Sequence, residues 1–424
     1  MIFVKLEDIA ELKSGPFGIV FNGVDFVSSQ NGIPVLEVCN LGKGTIDARN
    51  AKLVAKEDVG TFKAYCLKEG DIIFGRIGAI DKFAYVEKEN EGWILGSDCI
   101  RIRCHPGVNA RYIAHCINTD FVRQQLSNAR IGGNIPSINT KALKKIRFPY
   151  PDLQVQEEIE KKLTFFTKKI NVNKKYMEQS KRLLSSIFNH WFLDYQIPYD
   201  GRAGKFTTWC EKLKRDIPEN WELVRLEDVT KHLTDGEHGS VSEDPKGQYW
   251  MYGAGNIKDG QVVPSPSDKR IGYETYQRIH KRTGTSKGDI LLTTAGTIGN
   301  IAYLQEDLDS IEFLRSVTTI RPDPDRITAE YLYQYLLAAT PQIHALKKGS
   351  GQKSIALSDL RKMPILLPPL DIQQLYSEKT MPFYRMLEVA RKENITLVTL
   401  YHLVIDQLLE EAAKKMKHIL SYVS

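Results

Sequence analysis

The chain has 424 residues, of which 42% are hydrophobic and 26% charged, and its net charge is +6. At roughly 100 to 200 residues per domain this length predicts two to four domains, and the composition excludes wholesale disorder and a fibrous chain. The small excess of positive charge is compatible with a polyanionic partner; with no run near about 18 apolar residues and no signal-peptide pattern in residues 1–12, a cytoplasmic protein without membrane association is expected.

From residue 1 to 150 the sequence consists of short β-branched or aromatic runs punctuated by glycines, as in a mixed domain built mainly of strands. Strands are expected at 33–38, 71–74 and 83–86, and small helices at 110–126 and 139–145. Residues 153–193 contain neither Gly nor Pro and are dense in Glu, Lys and Leu, which predicts one long helix of about 60 Å at 1.5 Å per residue. Its apolar stripe, Ile159, Leu163, Phe166, Ile170, Met177, Leu184, Ile187 and Trp191, follows three-, four- and seven-residue intervals and calls for a partner helix.

The same text then recurs. Val4-Lys-Leu-Glu-Asp-Ile9 returns as Val224-Arg-Leu-Glu-Asp-Val229, Gly70-Asp-Ile-Ile73 as Gly288-Asp-Ile-Leu291, Ser137-Ile138 as Ser354-Ile355, and Pro151-Asp-Leu-Gln-Val-Gln156 as Pro368-Pro-Leu-Asp-Ile-Gln373. Four landmarks in one order at nearly one spacing predict two copies of a unit, head to tail, with pseudo-twofold symmetry if the copies associate. Strands are expected at 289–293 and 300–304, and helices at 329–346 and 358–362. A second long helix follows over 370–412, with Leu375, Met386, Leu387, Val398, Tyr401, Ile405 and Leu408 on its stripe and a kink or restart at Pro382. Two such helices in one chain should pair antiparallel, with residues 195–222 as a surface linker.

The sequence holds no phosphate-binding glycine-lysine loop and no Asn/Asp-Pro-Pro-aromatic tetrapeptide; Gly253-Ala-Gly255 and Gly349-Ser-Gly351 read as turns. Glu160-Lys161-Lys162 lies on the long helix as a solvated face, and nine scattered histidines define no triad. Cys39, Cys66, Cys99, Cys104, Cys116 and Cys210 include no C-x-x-C pair, so buried reduced thiols are expected and no metal site. The chain is expected to bind, with no catalytic residue.

The duplicated landmarks, with Gly70-Asp-Ile-Ile-Phe-Gly-Arg-Ile-Gly78, Pro136-Ser-Ile-Asn139, Trp191-Phe-Leu-Asp-Tyr195, Ile217-Pro-Glu-Asn-Trp-Glu222 and Thr234-Asp-Gly-Glu-His238, resemble the specificity subunit of type I restriction-modification systems over nearly the whole chain. The resemblance implies an α+β fold with two mixed, mainly β target recognition domains, 1–152 and 223–369. They are separated by two long antiparallel, coiled-coil-like helices, 153–194 and 370–412, with the linker 195–222 between the copies and a basic tail at 413–424. It also implies a non-catalytic protein that reads a bipartite duplex DNA target, with two methylation subunits docked on the helices and restriction/translocase subunits joining them. No cofactor is then expected on this chain, S-adenosylmethionine belonging to the methylation subunit. The second turn departs from the family in reading His238-Gly-Ser240 where a Thr-Pro pair is frequent.

Polar loops should enter the major groove while Lys and Arg hold phosphates. The candidates are Lys13, Ser14 and Phe17, Arg76 and Lys82, and Asn134 in the first domain. In the second they are Asp235, His238 and Ser240, Lys281 and Arg282 in a loop at 278–283, and Thr294, Thr297 and Asn300. The glycines of Gly75-Arg-Ile-Gly78 and Gly296-Thr-Ile-Gly299 occupy equivalent places and are expected to shape turns sooner than read bases; for Lys281 and Arg282 a phosphate contact and a solvated face stand side by side. The rival reading is a standalone DNA-binding or scaffolding protein with no methylation partner.

Overall fold

A computed structural model describes residues 2–16, 26–28, 32–79, 81–131, 136–198, 206–349, 351 and 353–423, with backbone alone at 43 and 412–423. The chain forms two compact units, residues 1–172 with 394–424, and residues 173–393. Strands and helices occur in both, as an α+β fold requires.

In the first unit a five-stranded sheet has the order Ala10–Ser14, Cys99–Cys104, Ile72–Gly75, Phe83–Tyr85, Lys43–Gly44. A three-stranded sheet of Lys52–Val54, Ile33–Leu36 and Ile94–Leu95 lies beside it in the same unit. In the second unit the four-stranded sheet runs Thr230–Asp235, Val317–Pro322, Ile290–Thr293, Ile301–Tyr303, with a three-stranded sheet of Lys269–Ile271, Tyr249–Tyr252 and Ile311–Phe313. The central strand of each larger sheet is buried on both faces, as its apolar run demands. The helix expected at 110–126 is two, Ala110–Cys116 and Asp120–Asn128, because Thr119 caps the second: its hydroxyl accepts from the Val122 N–H and donates to the Cys116 carbonyl.

The duplication is repeated hydrogen bond by hydrogen bond. Asp8 accepts from the Lys5 N–H at 3.1 Å, and Asp228 from that of Arg225 at 2.9 Å. Asn40 bridges the Glu37 N–H and the Asp47 carbonyl; Asn256 bridges the Gly253 N–H and the Val263 carbonyl. Gln156 accepts from the Asn109 N–H and donates to the Pro151 carbonyl, while Gln373 does the same with Thr328 and Pro368. The Asp8 and Asp228 bonds are exposed, but Asn40, Asn256, Gln156 and Gln373 are buried, where a lost partner would leave an unsatisfied donor or acceptor at about 1–3 kcal/mol each.

Within each unit the long-helix segments pair antiparallel. In the first unit Asn394 reaches the Ile170 carbonyl, while Ile159 and Leu163 share a core with Tyr401 and Ile405. In the second, Asn173 donates to Glu393 at 2.7 Å, and Trp191 meets Tyr376 edge-on at 5.7 Å. Phe192 is the centre of that end, 4.7 Å from Tyr331 and 5.1 Å from Tyr376; aromatic contacts of this kind add about 0.5–1.5 kcal/mol each beyond the area they bury.

The structure corrects several expectations. The first helix, Leu153–Phe188, ends in a π-helical turn, Asn189–Leu193. The second runs Leu370–Val423 with no restart at Pro382 and continues as helical backbone where a tail is expected; Pro382 is exposed, and the carbonyl it frees belongs to Glu378, also exposed, where water can satisfy it. Val398 is 44% exposed although it shares the helix face of Asn394, Tyr401 and Ile405. The residues expected as a plain linker contain an antiparallel hairpin, Thr207–Cys210 with Arg215–Pro218. Among the cysteines, Cys99 and Cys116 are buried and Cys39 is exposed; burial pushes the thiols of Cys104 and Cys116 up to about 12.

Candidate nucleic-acid interface

The Asp235–His238 turn closes strand Thr230–Asp235 of the second unit. Asp235 accepts a 2.6 Å hydrogen bond from the Thr318 hydroxyl, and its other oxygen lies 3.8 Å from His238 Nε2. Gly236 is obligatory, since a Cβ there would lie 2.2 Å from the Phe313 carbonyl oxygen. Glu237 is bonded through its backbone to Phe313 and Arg315. Its carboxylate accepts from the Gly239 N–H at 3.1 Å, Arg282 at 3.2 Å and Arg278 at 3.4 Å. Burial opposes that charge, but the Gly239 N–H and the two guanidinium groups outweigh it and hold the carboxyl below its ordinary pKa. His238 and Ser240 are left exposed at the tip.

Residues 278–283 are not a loop. They are the last half of a helix, Tyr273–Thr283, that buries Tyr276, Ile279 and Thr283 and ends in His280, Lys281 and Arg282, cations that suit a helix C-terminus. Glu312, fully buried, anchors it by accepting from Thr283 at 2.9 Å and pairing with His280 Nδ1 at 2.6 Å. Burial pushes the Glu312 carboxyl up, against the pull of His280 and Thr283. Lys281 points out beside the turn as an exposed cation.

The 293–300 loop is held from within. Thr294 is 2% exposed, the Thr297 hydroxyl donates to the Ala254 carbonyl at 3.0 Å, and the Asn300 amide donates to Ile257 at 2.7 Å. These bonds shape the loop: Thr294 is withdrawn into the core, whereas Thr297 stays exposed and Asn300 half-buried. Gly296 and Gly299 hold φ of 74° and 96°, and Gly78 in the first unit 84°, a region that L side chains rarely adopt. In the first unit Lys13 Nζ lies 4.7 Å over the Tyr65 ring, Ser14 follows it on the strand, and Arg76 and Lys82 are half-buried around the corresponding turn. Phe17 and Asn134 lie outside the described residues.

Two segments, 2–180 and 218–397, match the family model of the type I restriction modification DNA specificity domain. The chain belongs to that family. A type I specificity chain of this kind is a DNA-recognition protein without a catalytic role. The putative type I restriction enzyme MjaX specificity subunit of Methanocaldococcus jannaschii is 23% identical over 98% of this chain and 91% of its own length. The EcoBI specificity subunit of Escherichia coli is 22% identical over 87% of this chain and 76% of its own. The crystal structure of a type I S subunit from M. genitalium superposes with a TM-score of 0.56 at 14% identity, over 97% of this chain and 95% of that one, a likeness of fold alone.

Sequence reasoning placed Glu237 and Arg278 inside candidate segments without giving either a role, and it missed Thr318 in this specificity chain. Glu237 had a signal, being the variable position inside the Asp-Gly-x-His turn. Thr318 had none: it lies 83 residues from Asp235 and meets it only through strand pairing.

Proposed function

We propose that this specificity chain reads a split duplex DNA target, one half-site per unit, and positions methylation subunits that carry S-adenosylmethionine, with restriction subunits joining that assembly in the cytoplasm. The observation that supports this best is a scaffold repeated bond for bond beneath loops that diverge. The Asp/Asn/Gln ties recur in both units, whereas the helix Tyr273–Thr283 occupies the second unit and the ten-residue 3-10 segment Lys56–Tyr65 stands between strands in the first. Two readers of different half-sites need that combination, since the scaffold keeps the rim in place and the rim carries the sequence preference. Exposed apolar side chains on the helices, Phe165, Val172 and Leu403 in the first unit and Met386 and Val389 in the second, supply docking surface for the methylation subunits. Co-expression with the methylation subunit followed by methylome sequencing tests the reading. Methylation at one split motif that disappears without this chain supports it; a motif that persists without this chain removes it.

A further inference from the structure

At the basic end of helix Tyr273–Thr283 the Arg282 side chain stays 46% exposed, yet its guanidinium is engaged by the turn. One guanidinium, Arg282, touches three successive residues of the turn from behind: Nη1 donates to the Asp235 carbonyl at 3.2 Å, and Nη2 to the Gly236 carbonyl at 3.1 Å and to Glu237 Oε2 at 3.2 Å. Arg278 holds the other carboxylate oxygen, Oε1, which also accepts from the Gly239 N–H. Glu237 is thus a hub that fastens residues 237–239 to the helix, and its position sets the direction in which His238 leaves the backbone. Lys281 and Arg282 are both exposed, but Arg282 is committed to one carboxylate and two carbonyls and must surrender those bonds to reach a phosphate. A fork-shaped guanidinium can span such acceptors, and a lysine ammonium cannot.

We propose that Glu237, Arg278 and Arg282 form an internal brace that positions His238 and Ser240 for base reading in the second half-site, and that the helix contributes phosphate contact through Lys281 and not through Arg282. This rests on the reading of the turn as a DNA-contacting element. The brace predicts an unusual separation of affinity from specificity. A phosphate contact changes the salt dependence of binding, and a lysine can replace an arginine there; a positioning contact changes discrimination, and a lysine cannot.

The test uses the complex assembled with its methylation subunits and two duplexes, one carrying the methylome-defined site and one with the second unit's half-site scrambled, titrated from about 50 to 200 mM salt. Arg282→Lys and Glu237→Gln should each lower the ratio of the two affinities on the order of tenfold, the scale of one lost base contact, with the slope of log K against log salt unchanged. Lys281→Ala should do the reverse, reducing the slope by about one and keeping the ratio. Arg282→Lys that preserves the ratio, together with Arg282→Ala that cuts the slope by about one, would make Arg282 a phosphate contact and overturn the brace. Should Glu237→Gln fail to fold, Arg282→Lys decides the matter alone, because it keeps the charge. If His238→Ala and Lys281→Ala change neither quantity, the turn does not meet DNA, and the reading beneath the brace fails with it.

Discussion

Arg103 grips Asp71 through two parallel hydrogen bonds, Nε to Oδ1 at 2.7 Å and Nη2 to Oδ2 at 2.6 Å. Arg321 and Asp289 repeat the fork in the second unit at 2.8 and 2.7 Å. Both aspartates are almost wholly buried and also cap a backbone N–H three residues before them, that of Lys68 or Ser286. Each carboxylate therefore fixes the turn leading into the central strand, and the arginine keeps its charge from being stranded.

Arg103→Ala should lower the unfolding free energy on the order of 3 kcal/mol, the lower end for breaking a buried pair because the arginine itself is partly exposed. Arg103→Lys should recover only part of this, since a lysine cannot make the two-pronged contact. Urea unfolding of both variants checks it; a loss under about 0.5 kcal/mol for Arg103→Ala, the range of ordinary surface changes, would show the fork to be dispensable.

His115 predicts a pH effect. Its ring nitrogens lie 3.0 Å from the Tyr401 hydroxyl and 3.2 Å from that of Thr164, inside the first unit. Burial, reinforced by Arg111, lowers its pKa to about 3. The folded chain keeps this imidazole neutral while the unfolded chain protonates it near the usual 6.5. Stability is therefore lost as pH falls below about 6.5, and the loss stops growing near 3, at about 1.4 kcal/mol per pH unit for one proton. His115→Gln should flatten the melting-temperature profile of the first unit between pH 5 and 6 by that single-proton slope. Parallel profiles for the two proteins would mean that the ring is protonated in the fold.

Leu163 and Phe165 are two residues apart on one helix and face opposite ways: Leu163 is fully buried and Phe165 is 67% exposed. Leu163→Asp should cost several kcal/mol through a buried unpaired charge, visible as a large fall in melting temperature. Phe165→Asp should leave the melting temperature within the surface range and weaken co-purification of the methylation subunit. If Phe165→Asp copurifies as well as the parent, the exposed apolar side of this helix is not where that subunit docks.

The landmarks legible in the sequence are those in which a residue type has one use. Gln156 and Gln373, at matching places after a proline, are the first-turn anchors of the two helices, and the apolar stripe from Ile159 to Trp191 names a buried face before any fold is known. What escaped is set by contacts between distant segments. The helix Tyr273–Thr283 mixes aromatic, β-branched and charged residues with no run long enough to stand out, and it is held by Glu312, 29 residues after Thr283. Thr294 and Asn300 have the chemistry of base readers, but the Thr318 hydroxyl and the Ile257 carbonyl engage them in the fold. Val398 fits the apolar stripe and shares its face with the buried Tyr401 and Ile405, yet is 44% exposed, a difference that spacing along the helix does not carry.

The repeated scaffold leads to a modular prediction. In the first unit strand Phe3–Lys5 pairs with Arg147–Pro149, just before the first long helix, and in the second Glu222–Arg225 pairs with Pro364–Leu367, just before the other. Each recognition domain is thus closed by its own first and last strands, so its ends lie side by side at the base of its helix. An exchange of residues 1–150 for the corresponding segment of another specificity chain keeps that closure, provided the incoming segment ends in the same strand and proline. The second unit's brace and turn lie entirely within residues 235–318 and are untouched. Methylome sequencing of the hybrid should therefore show one half-site replaced and the other retained unchanged. A hybrid that alters both half-sites would mean that the two domains do not read independently, and a hybrid that methylates the parental motif would mean that residues 1–150 carry no sequence preference.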